Sequence, residues 1–235
     1  MVHVIATGAG IVMMNRTDDP THEYILGLTK KERPRVLFLG TATGDRPDYI
    51  LSFYRTYHAD RCAPHHLTLF HRDFDDLASW IKGFDVVHVG GGNTANMLDV
   101  WKRQGVDRVL REMWEDPANS DVVFTGGSAG GICWFEGGTT DSYGPTLQVL
   151  PEGLGLLSGS FSPHYDAEDQ RRPLYHRALL DGELPAGHAC GNLDSLHFDG
   201  SEFVTAISPV DDGLALFVEA KDGEIVETPL PLKKL

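Results

Sequence analysis

The feature that most constrains this chain is a series of short runs that are apolar on both faces, separated by stretches of helical periodicity. The runs at 2–6, 35–39 (RVLFL), 86–89 (VVHV) and 122–125 (VVFT) show no polar alternation, and a weaker one spans 66–70. Strands apolar on both faces must be covered on both faces. Between them, residues 47–57, 74–81, 94–104 and 106–115 read as helices. In the last two, apolar residues recur at three-to-four spacing: Met97, Val100 and Trp101, then Val109, Leu110 and Met113. This pattern predicts an α/β fold: a mostly parallel central sheet with helices on both faces and right-handed crossovers.

After about residue 185 the pattern changes. Short strands at 196–198, 203–207, 214–218 and 225–227 are punctuated by Asp-Gly at 199–200, 212–213 and 222–223. Asp-Gly is a hairpin signal, so an antiparallel hairpin extension of the same sheet is expected. No linker or internal repeat is visible, and the 235 residues read as one α/β domain.

Composition narrows the classes of partner. A net charge of −14 disfavours nucleic acid and anionic membrane surfaces. No run approaches the ~18 apolar residues of a membrane helix, and the N-terminus lacks the basic region of a signal peptide. Cys62, Cys133 and Cys190 form no C-x-x-C pair, which points to a reducing cytoplasm. No pair of histidines shows H-x-x-x-H spacing with a third ligand nearby, so neither a metal nor another cofactor is expected.

The strongest chemical signal is Phe124-Thr-Gly-Gly-Ser128-Ala-Gly-Gly. An apolar strand runs directly into a Gly-Gly-Ser-Ala-Gly turn and a short helix, the pattern of a nucleophile elbow. Ser128 is then the nucleophile, and the N–H of Ala129 is set to receive a developing oxyanion. The plainer alternative is a glycine-rich turn that merely closes or binds phosphate. Among eleven histidines, His164 in Phe161-Ser-Pro-His-Tyr-Asp166 stands where a loop leaves the sheet edge, as a general base would. His65 and His66 lie in a loop, and His88 in mid-strand reads as a core histidine.

A second glycine-rich turn, Val89-Gly-Gly-Gly-Asn-Thr94, also joins a buried strand to a helix. Asn93 or Thr94 can cap that helix, and the Gly92 N–H could complete an oxyanion site. It lacks the Lys-Ser/Thr of a P-loop. Gly8-Ala-Gly10 falls short of a dinucleotide fingerprint, because Met13 stands at the third glycine.

Together, VGGGNT (89–94), GGSAGGI (126–132) and SPHYD (162–166), in this order and spacing, resemble the peptidase E family of serine peptidases (S51-type), to which cyanophycinases are related. The resemblance implies a class I glutamine-amidotransferase-like three-layer fold and an aspartyl dipeptidase acting on Asp-X peptides. It implies Ser128 as nucleophile, His164 as base, and Gly92 and Ala129 as oxyanion donors. The family's acid lies in a Thr-Thr segment, here Gly137-Gly-Thr-Thr-Asp141-Ser142. That makes Asp141 the first candidate, although the family position falls on Ser142; Glu136 and Asp166 are the others. The resemblance points further to Arg171 or Arg172 for the aspartyl carboxylate and to Asp194 for the substrate ammonium, with Asn93 beside them. Solvated charges at a helix start and a turn aspartate are the plainer readings of these residues.

The same triad could serve a broader dipeptidase, a carboxypeptidase-type exopeptidase or a cyanophycinase-like β-aspartyl hydrolase. A non-catalytic small-molecule sensor on the same fold is the alternative of a different class. Trp80, Trp101 and Trp114 on the amphipathic helices fit a homodimer contact and core packing equally well.

Overall fold

The computed structural model describes every residue except 11, 13 and 15, so Met13 lies outside the described residues. Alternation along each strand builds a three-layer core. In β1 (His3–Thr7), Val4 and Ala6 face one apolar cluster while Ile5 faces another. The same split separates Leu37 and Leu39 from Val36 and Phe38 in β2 (Arg35–Leu39), and Val87 and Val89 from Val86 in β4 (Val86–Val89). It also separates Phe124 from Val123 in β5 (Val123–Gly127). Helices α3 (Leu77–Lys82), α4 (Thr94–Gln104) and α5 (Val106–Glu115) cover the first face. Helices α1 (Pro20–Leu28) and α2 (Pro47–Thr56) cover the second.

These strands belong to an eight-stranded sheet. Its parallel part runs β1, β5, β4, β2 and β3 (Ala63–Leu67), which lies a few residues before the run read from the sequence. On the other side of β1 come the antiparallel β10 (Ser195–Asp199) and β11 (Glu202–Ser208), then β14 (Leu232–Lys234). The chain has the class I glutamine-amidotransferase-like fold.

The hairpin extension is divided rather than continuous. Asp-Gly at 199–200 joins β10 to β11, and Asp-Gly at 222–223 joins β12 (Ala215–Lys221) to β13 (Glu224–Pro229). Asp-Gly at 212–213 makes no hairpin, because β12 and β13 enter a second, six-stranded sheet. That sheet runs β13, β12, β9 (Gly187–Cys190), β8 (Ser160–Ser162), β6 (Gly137–Thr140) and β7 (Gln148–Leu150). The branch is held where the buried Asp194 carboxylate accepts the Leu214 N–H at 2.7 Å. Helix α7 (Arg171–Leu180) packs Tyr175, Ala178 and Leu179 on this sheet with Leu216 and Val218.

The other features of the core are local. Trp101 is fully buried, with its Nε1–H donating to Thr41 Oγ1, and Trp80 and Trp114 pack half-buried on the same core. Core packing therefore accounts for Trp101 in full and for the buried parts of Trp80 and Trp114. The three cysteines are buried and unpaired. Among the described residues, no helix is long and apolar enough to cross a membrane.

Candidate active site

Open α/β sheets bind ligands at the carboxyl ends of their strands, near the point where strand order reverses. Here β1, β5 and β4 end together, and β5 turns at Ser128 into the short helix α6 (Ala129–Ile132). Ser128 has φ 55° and ψ −116°, a left-handed conformation that a residue with a Cβ adopts only under strain. Its N–H is anchored by the Thr7 carbonyl of β1. Gly127 precedes it because backbone crowds the turn: a Cβ there would lie 2.0 Å from the Ala9 carbonyl oxygen.

His164 follows β8 by two residues, also in left-handed geometry at φ 56°. The Ser128 Oγ–H donates to His164 Nε2 at 2.9 Å. On the other side of the ring, Nδ1–H donates to Asn192 Oδ1 at 2.6 Å, which leaves Nε2 as the basic nitrogen. Asn192 is held in turn: its N–H donates to Asp166 Oδ1 at 3.1 Å, and its carbonyl accepts the Ala9 N–H at 3.1 Å. Burial holds the His164 pKa below its ordinary value, and the nearby Arg171 guanidinium acts in the same direction. The bond to Asn192 opposes the shift, as do the more distant Glu168 and Asp141 carboxylates.

A cavity of about 500 Å³ opens over this pair. Ala9, Gly92, Asn93, Asp141, Glu168 and Arg171 line it beside Ser128, His164 and Asn192. Gly92 has φ 138°, and a Cβ there would lie 2.5 Å from the Ala42 carbonyl oxygen, so the turn requires glycine. Asn93 caps α4 by accepting the Asn96 N–H, and its Nδ2–H donates to the Ser142 carbonyl. Among the described residues, neither the Gly92 nor the Ala129 N–H has a hydrogen-bond acceptor.

The structure thus gathers Ser128, His164, Gly92, Asn93, Asp141 and Arg171 around one space, with Ala129 opening α6 behind the serine. The candidates for the acid and for substrate binding have the following partners. Asp141 lines the cavity, but the Nδ1 bond of His164 goes to Asn192. Glu136 accepts the Gly159 N–H, Asp166 supports Asn192 from behind, and Ser142 bonds Thr140 and Ala95. Arg172 lies outside the cavity lining, paired with Glu227 and stacked over Tyr165. Asp194 is spent on the branch between the sheets, its carboxylate on Leu214 and its carbonyl on Gly8.

The sequence reading missed Asn192 and Glu168. Asn192 stands only two residues before Asp194, the aspartate that the resemblance offered for the substrate ammonium.

Comparison with known proteins gives the class and then the family. The fold is that of solved peptidases. A candidate peptidase E protein from Listeria monocytogenes EGD-e superposes with a TM-score of 0.58 at 15% identity, covering 87% of this chain and 97% of its own. A peptidase from an acI-B1 actinobacterium gives 0.71 at 15% identity, covering 99% and 95%. The profile of Peptidase family S51 matches residues 4–207. The uncharacterized peptidase YgaJ of Bacillus subtilis (strain 168) is 43% identical over 235 residues, the full length of both chains. This chain belongs to peptidase family S51.

The site carries a pH prediction. Only a neutral imidazole can accept a proton, so a lowered His164 pKa leaves the ring able to do so below the ordinary histidine value. The acid limb of kcat/KM is expected to fall below about pH 6.5. Asn192→Asp places a carboxylate against Nδ1, favours the imidazolium and moves that limb to higher pH. Asn192→Ala leaves the ring unoriented, with a loss on the order of 10²-fold in kcat. A limb that stays fixed in Asn192→Asp would show that Asn192 does not set the base.

Proposed function

We propose that the chain is a serine-type peptidase of short peptides, acting most readily on Asp-X dipeptides in the cytoplasm. The observation that carries this reading is the elbow serine with its Oγ 2.9 Å from His164 Nε2. In that arrangement His164 takes the Ser128 proton as Oγ attacks the peptide carbonyl. The N–H groups of Gly92 and Ala129 receive the oxyanion, with one such donor worth about 3 kcal/mol in the transition state. Collapse breaks the C–N bond as His164 returns the proton to the leaving amine. Water then gives a proton to His164 and attacks the acyl carbon, and Ser128 leaves with the proton restored.

Asn192 serves in place of a carboxylate: it fixes the tautomer without adding charge, as in Cys-His-Asn proteases. The cavity volume suits a dipeptide. Arg171, buried at the cavity wall, supports selection of an acidic side chain, and the likeness to a candidate peptidase E protein points the same way. Three buried, unpaired thiols support a reducing compartment.

The test is hydrolysis of Asp-Leu against Leu-Leu and β-Asp-Arg. Preferential cleavage of Asp-Leu is the expected result. Cleavage of β-Asp-Arg or Leu-Leu instead would keep the nucleophile and replace the specificity by the β-aspartyl or broader-dipeptidase reading. A folded protein whose Ser128 resists a serine-directed phosphonate and that cleaves none of them would be a sensor.

A further inference from the structure

The aspartyl grip in this cavity is already occupied. Arg171 is only 2% exposed, and its guanidinium is held on two sides. Its Nε–H donates to Glu168 Oε2 at 2.7 Å, while Nη1–H groups donate to the Thr139 carbonyl and, at 3.1 Å, to Thr139 Oγ1. Arginine grips a carboxylate in two-pronged fashion through Nε with one Nη, or through both Nη atoms. The first edge is taken at Nε by Glu168, and the second at Nη1 by Thr139. The Thr139 side cannot yield: Thr139 is fully buried within β6, with its hydroxyl also bonded to Ser162 Oγ at 2.9 Å. The Glu168 side can. Its side chain is 43% exposed, lines the cavity and sits in the loop before α7.

We infer that Glu168 is a specificity-determining residue: an internal carboxylate that competes with the substrate's acidic side chain for the Nε edge of Arg171. This rests on the reading of the cavity as an Asp-X peptidase site. An incoming aspartyl group must displace Glu168 from Arg171. The displaced carboxylate stays at the cavity wall, where the α-ammonium of the same substrate residue offers it a new partner. The pair Arg171–Glu168 therefore matches a residue that carries both charges, an N-terminal aspartate. A carboxylate without a neighbouring ammonium meets a cavity lined by two carboxylates and one guanidinium.

The experiment compares Asp-Leu with Ala-Leu, and each with its N-acetylated form, in the wild type, Glu168→Ala, Glu168→Gln and Asp141→Asn. Asp141→Asn removes the same charge from the same cavity without touching Arg171. Freeing Arg171 is expected to raise the Asp-Leu to Ala-Leu ratio of kcat/KM by roughly fivefold, through KM for Asp-Leu. The Glu168 variants are also expected to lessen the penalty for N-acetylation, because the ammonium loses its partner. Thermal denaturation of each variant checks that the fold is kept.

A ratio that is unchanged or lower in both Glu168 variants overturns the inference while the Asp-X reading stands. An equal rise in Asp141→Asn overturns it as well, since cavity charge alone would then suffice. Absence of Asp-Leu hydrolysis in wild type and variants alike, with Ser128 still labelled by a phosphonate, overturns the Asp-X reading and the inference together.

Discussion

Replacement of Ser128 by alanine is expected to abolish peptide hydrolysis, with a loss in kcat on the order of 10⁴–10⁶. The argument is geometric. Ser128 Oγ is the atom at the mouth of the elbow, and its proton already points at His164 Nε2 across 2.9 Å. Among the described residues lining the cavity no other carries a hydroxyl or thiol; Cys133 and Cys190 lie outside that lining, fully buried, and burial pushes both thiols well above their ordinary pKa. The fold should not suffer. Alanine carries the same Cβ at φ 55°, so the backbone strain is unchanged, and the part-buried hydroxyl makes a single side-chain bond, to His164. Far-UV circular dichroism and thermal denaturation would read as wild type while Asp-Leu turnover and phosphonate labelling vanish. Residual activity near that of the wild type would remove Ser128 from the mechanism and leave only the fold.

The second large effect is structural. Gly130→Ala is expected to destabilise the protein by on the order of 3 kcal/mol, read as a fall in the denaturant midpoint. Helix α6 lies so close to β4 that a Cβ on Gly130 would sit 2.1 Å from the Val89 carbonyl oxygen and 2.8 Å from its carbon. Both are backbone atoms of a central strand, in a layer where Val89 is fully buried, so nothing nearby can swing aside. Relief requires α6 to move away from the sheet, and α6 carries the amide of Ala129. Loss of activity should therefore accompany loss of stability.

Gly27 in α1 is the contrast: a Cβ there meets nothing within 4 Å, so Gly27→Ala should be neutral or gain up to about 1 kcal/mol from helix propensity. A Gly130→Ala protein as stable as the wild type would show that α6 is not locked against β4.

Much of the site was legible because it is local. The elbow needs a buried strand, small residues and a serine in one heptapeptide, and 124–130 contains all of them. Gly92 and Asn93 were readable for the same reason, a glycine-rich turn followed by a helix cap. The missed elements lacked such marks. Strand β6 begins Gly-Gly, which reads as a turn, and its place beside β8 and β7 comes from pairing rather than from its own propensity. Helix α7 opens with two arginines, unfavourable to the helix dipole; Glu168 and Glu227 offset the first and second of them.

The amino-acid sequence by itself determined the α/β class, the strand-to-helix turn that strains Ser128 and the histidine that answers it, because each depends on hydrophobic period or on backbone sterics within a few residues. Only the tertiary structure decided which group holds His164, which arginine faces the cavity and where the C-terminal strands divide. Asn192 lies 28 positions beyond His164, and Glu227 lies 55 beyond Arg172. Such partners are chosen by strand order across two sheets. Neighbouring residues along the chain, each able to hydrogen-bond equally well, do not encode that choice.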